Sequence, residues 1–96
     1  MITATWQPPA AAPSGPLDAQ RVNALPNSAF AFPGARKEPM TDASHVRNAI
    51  ARFDQVKDVT DADRELAFAN IKKAAGHFGI AMKETDWRQL GSRARG

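Results

Sequence analysis

Residues 41–79 read TDASHVRNAIARFDQVKDVTDADRELAFANIKKAAGHFG, and their periodicity predicts two amphipathic helices joined by a short loop. Val46, Ala49, Ile50 and Phe53 recur at i, i+3, i+4 and i+7, which puts all four on one stripe of a 3.6-residue helix. Arg47, Asn48 and Arg52 point elsewhere, so one face is buried and the other is wet. Asp42, or Thr41 beside it, is a good N-cap, because a short side-chain oxygen accepts a hydrogen bond from the free N–H groups of the opening turn. The second helix repeats this grammar. Thr60 stands three residues before Asp63, an approximate capping box, and Asp61, Asp63 and Glu65 put negative charge at the positive end of the helix dipole. Ala67, Ile71, Ala74, Ala75 and Phe78 form its apolar stripe, widened by Leu66 and Phe68. Lys72, Lys73 and His77 suit the carbonyl end, and Gly79 is placed to close the helix in a left-handed conformation.

Working toward the N-terminus, residues 25–40, LPNSAFAFPGARKEPM, change character. Phe30 and Phe32 alternate with Ala29 and Ala31, the period-2 pattern of a half-buried strand, and Pro33-Gly34 suggests a type II turn. Residues 36–40 return as a second short strand that Pro39 confines to an edge. The reading is a β-hairpin, or an extended clip, laid across the helix pair. After Gly79, Ile80 and Met82 extend the chain, and Thr85 caps a short third helix carrying Trp87 and Leu90 before Gly91 ends it. Trp87 locks that turn onto the core; its alternative use is as a stacking platform for a base, which requires exposure.

Residues 1–24, MITATWQPPAAAPSGPLDAQRVNA, have linker composition. Their prolines and alanines predict a disordered N-terminal tail, with Trp6 either an incidental tail residue or an aromatic anchor for a protein partner. Residues 25–91 are expected to form one small globular domain and residues 92–96, with Arg93 and Arg95, a frayed basic end. The fold expected is mainly α, with α+β as the alternative: a two-helix core plus a short third helix. The core is predicted from Phe30, Phe32, Val46, Ile50, Phe53, Leu66, Ile71, Phe78 and Trp87.

The combination LPNSAFAF, TDASHVRNAIARF, IKKAAGHFGI and DWRQLG resembles a family of small domains from actinobacteria and their phages, where similar segments occur beside capsid-maturation proteins. The resemblance covers about residues 23–91 and implies a shared fold without an established activity, so it brings no catalytic residues. The family commonly has aspartate where this chain has Asn27 and a charged residue where it has Gly76. The LP-S start and the later IKKAA helix are also loosely similar to ChaB-like domains.

With 96 residues the chain allows one domain with a thin margin of stability, and with no cysteine neither a disulfide nor a thiolate metal site can reinforce it. The only histidines, His45 and His77, lack metal-ligand spacing. Ser28, Ser44 and the aspartates lack the context of a nucleophile or an acid–base pair, and the glycines form no phosphate loop. The expectation is therefore no enzyme, no cofactor and no metal. Without an early basic cluster leading into an apolar run, and without a stretch long enough to span a bilayer, a cytoplasmic protein is expected. Lys and Arg outnumber Asp and Glu by 13 to 10, a modest net charge of +3. That leaves two binding classes: an interaction or adaptor domain for a protein partner, and a weak DNA- or RNA-binding module whose phosphate contacts come from Arg47, Arg52, Lys72, Lys73 and Arg88.

Overall fold

The computed structural model describes residues 2–9 and 18–91. Helix α1 (Ala19–Ala24) leads into a hairpin of β1 (Phe30–Phe32) and β2 (Lys37–Pro39), followed by α2 (Ala43–Arg52) and α3 (Asp61–His77); single 3₁₀ turns lie at Asn27–Ala29, Phe53–Gln55 and Trp87–Gln89. The protein is mainly α with a small β component, as its patterning implies.

Both long helices begin, and α3 also ends, by the chemistry of their termini. Asp42 accepts from the His45 amide at 2.9 Å to cap α2, and Thr60 and Asp63 form a reciprocal capping box on α3, with both bonds at 3.0 Å. At the far end of α3, Ile80 N–H donates to Ala75 at 2.8 Å and Gly79 N–H to Gly76 at 3.4 Å. Gly79 adopts φ +74° there, so the helix closes in a Schellman motif.

The hairpin is antiparallel, with Phe30 opposite Pro39 and Phe32 opposite Lys37. All three residues of β1 are buried rather than alternating, because α3 packs on it as well as β2. The type II turn expected at Pro33-Gly34 is not formed. The left-handed residue is Arg36, with φ +54°, and its side chain explains the choice. The guanidinium donates to Asn27 Oδ1 at 2.6 Å and to the carbonyls of Val22 and Leu25, each at 3.0 Å, while lying 4.6 Å from the centre of the Phe30 ring. It ties the C-terminal carbonyls of α1 to the hairpin.

The N-terminal tail expectation is corrected at two places. Residues 19–24 form α1, capped where Asp18 accepts from the Arg21 amide at 2.8 Å, and Trp6 is fully buried in the main core with Phe32, Met40, Val46, Phe53, Ile71 and Leu90. Within that tail, residue 1 and residues 10–17, together with the expected basic end at 92–96, lie outside the described residues. Of the expected core, Phe30, Phe32, Val46, Phe53 and Ile71 are buried, whereas Ile50, Leu66, Phe78 and Trp87 are only half-buried. The third helix is one 3₁₀ turn, Trp87–Gln89.

Candidate docking site

A buried polar arrangement is built where an extended segment, residues 2–9, crosses α3 and β1. Asn70 lies on the buried stripe of α3, three residues after Ala67 and four before Ala74, and is fully buried. Its Oδ1 accepts from the Thr5 amide at 2.7 Å and the Trp6 amide at 2.8 Å, and its Nδ2 donates to the Ala31 carbonyl at 3.0 Å. One carboxamide thus joins helix, hairpin and segment. Further along, the Gln7 amide donates to Ser28 at 3.0 Å.

The segment alternates: Thr5 and Gln7 are exposed and Trp6 is buried. The indole N–H donates to the Met40 carbonyl at 3.2 Å, which gives the buried tryptophan its polar partner. Its ring meets His77 and Phe78 edge-on, at centroid separations of 5.5 and 5.9 Å. Trp6 is therefore not presented to a partner, as its reading as an anchor requires; it is the occupant of a pocket. No local pattern in the sequence marks this, but Asn70 leaves one signal, a polar residue at a stripe position of an amphipathic helix.

The five candidate phosphate contacts are spread over three elements. Arg47 and Arg52 are exposed on α2, five residues and so roughly 140° apart around its axis. Lys72 and Lys73 are exposed on α3, with Lys72 Nζ 5.6 Å from the centre of the Phe68 ring. Arg88 is already engaged, at 3.3 Å from both oxygens of Asp86 and stacked 4.3 Å over Trp87. Trp87 also donates to Glu65 at 3.1 Å, and Arg64 lies 5.6 Å from its ring centre, so this tryptophan is crowded by arginines instead of offering a free stacking face.

Arg52 joins a second arrangement. With Lys37, Glu38, Gln55, Val56 and Lys57 it lines an open groove of about 450 Å³ between the end of β2 and the loop after α2. Lys37 Nζ donates to the Lys57 carbonyl at 2.7 Å across it. Glu38 holds a left-handed backbone, φ +59°, and burial pushes its carboxyl pKa up, opposed by the nearby charges of Arg52 and His45. His45 itself contacts Asp42 Oδ1 through Nδ1 at 2.7 Å. The groove combines cations with a reluctant carboxylate, a setting for polar recognition. Among the described residues no group of three His, Asp or Glu side chains has the geometry to hold a metal, and no helix is long and apolar enough to cross a membrane.

No curated protein and no solved structure matches the chain. A family model, that of a family of unknown function designated DUF6582, matches residues 18–85, a stretch that includes Ser28, Ala31, Met40, Asn70, His77 and Phe78 and leaves out residues 2–9. The chain belongs to the DUF6582 family.

Proposed function

We propose that this chain is a non-enzymatic, cytoplasmic interaction domain that docks a protein partner as an extended segment across α3 and β1. The observation that supports the reading is the manner in which residues 2–9 lie there, with main-chain amides on Asn70 and Ser28 and one aromatic side chain in a pocket. Main-chain bonds of this kind hold any extended peptide, and the pocket selects among them. To test the reading, short random peptides are displayed against the full chain carrying Trp6→Ala, which empties the pocket. Enrichment of peptides with a central aromatic, whose binding shifts the amide resonances of Ala31, Met40 and Asn70, is the expected outcome. Enrichment no better than on an unrelated helical domain removes the reading.

A second reading is weak, phosphate-directed binding of DNA or RNA, favoured by the convergence of Lys37, Arg52 and Lys57 on one groove. Titration with short duplex DNA and single-stranded RNA should then shift resonances of Lys37, Arg52 and Lys57, with recovery as salt rises. Shifts that ignore salt, or none, exclude it.

A further inference from the structure

We infer that a partner segment received in the groove that residues 2–9 occupy across α3 and β1, with Asn70, Met40 and Ser28 as its polar contacts, carries a tryptophan whose own amide and that of the preceding residue are free to donate, and that residues 2–9 are a built-in competitor for it; the inference rests on the docking reading above. The pocket makes polar as well as apolar demands. At one wall the Met40 carbonyl accepts the indole N–H at 3.2 Å. A phenylalanine or leucine in that place leaves this buried carbonyl without its donor, and an unmade buried hydrogen bond is expensive relative to a made one. Tryptophan combines the required ring area with an N–H at its edge.

The backbone demands are equally specific. Asn70 Oδ1 takes two consecutive amides, those of Thr5 and Trp6, and Ser28 takes the next, that of Gln7. Proline, which has no N–H, is excluded at those three positions of any occupant. It is tolerated immediately afterwards, where this chain has Pro8 and Pro9, and there it favours the extended backbone that the groove holds. The resulting pattern is a tryptophan flanked on each side by a non-proline residue, with proline admitted from the second residue on.

The competitor role follows from where the parts lie in the chain. Ser28, Met40, Asn70, His77 and Phe78, which contact the segment, fall within the 18–85 family match, while the segment itself lies outside it. The domain and its occupant are thus separable in sequence, although joined covalently. A tethered occupant competes at an effective concentration on the order of millimolar, so a partner's segment must exceed that advantage before it is captured.

The test uses the full-length Trp6→Ala chain and an acetylated peptide of sequence ITATWQPP, residues 2–9. The peptide should shift the Asn70 side-chain amide and the Met40 and Ile71 amides, and its phenylalanine-for-tryptophan version should bind at least ~10-fold more weakly. Against the wild-type chain the tryptophan peptide should also bind at least ~10-fold more weakly, because the tethered copy holds the groove. A folded Trp6→Ala chain that shows no shift at ~1 mM peptide, or equal binding of the two peptides, overturns the inference; equal binding still leaves aromatic docking standing. Should Trp6→Ala fail to fold, hydrogen exchange of the wild-type chain decides. The Trp6 indole and the amides of Thr5, Trp6 and Gln7 should exchange at least ~10-fold faster than those of Ile71 and Ala74, as expected if the segment detaches alone. Exchange at one common rate means that the segment leaves only when the whole domain unfolds, and the competitor role is lost.

Discussion

Asn70 spends both ends of its carboxamide inside the core, on the segment through Oδ1 and on β1 through Nδ2. Replacing it with alanine strands the Thr5 and Trp6 amides and the Ala31 carbonyl together, so Asn70→Ala should lower unfolding free energy by about 2–4 kcal/mol in urea titrations. Glu38 acts in the opposite sense. Burial raises its folded pKa, so the ionised carboxylate is less favourable in the fold than in the open chain. That penalty is fully present above the raised pKa and disappears as pH falls below the ordinary glutamate value. Glu38→Gln should therefore raise the urea midpoint near pH 7 and leave it unchanged near pH 4. Little of either role is legible in the sequence. Asn70 falls on the stripe beside Ile71, but a stripe is recognised by its apolar members, and the partners that satisfy its amide lie 39 and 64–65 residues away. Glu38 owes its setting to a left-handed backbone inside a short strand, which no periodicity announces.

The secondary-structure elements were far more readable. Helix starts, the Thr60–Asp63 box and the Gly79 closure depend on neighbours within a few residues, and short-range chemistry is what a single sequence displays. Thr60→Ala should cost about 1 kcal/mol by thermal or urea unfolding, the usual loss for a missing N-cap. The stripe pattern carries the direction in which a side chain faces but not its depth. Ile71 is fully buried against the hairpin side of the core, whereas Ile50 is half-buried. Ile71→Ala should thus cost about 2–5 kcal/mol, with Ile50→Ala clearly cheaper in the same assay. Helix α1 carries no periodic signature, because six residues are too few to signal a helix by periodicity. Its end is held by Arg36, which lies 11 and 14 residues downstream of the carbonyls it binds.

At the scale of the whole molecule, the N-terminal segment closes the longest loop in the hydrogen bonding among the described residues, since Thr5 and Trp6 meet a residue 65 and 64 positions away. Such contacts form after local ones, because loop closure must be offset before they reward folding. In stopped-flow chevrons Asn70→Ala should accelerate unfolding while leaving the folding limb nearly unchanged. The placement of the two tryptophans carries one more consequence. Trp6 is sealed in the core with its indole on a carbonyl, and Trp87 is half-exposed between Arg64 and Arg88. Their emission will differ in colour and in access to a collisional quencher such as iodide. The protein therefore carries two optical reporters, one for the docking of its N-terminal segment and one for the packing of its C-terminal turn, and release of the first can be watched while the second stays dark to the event.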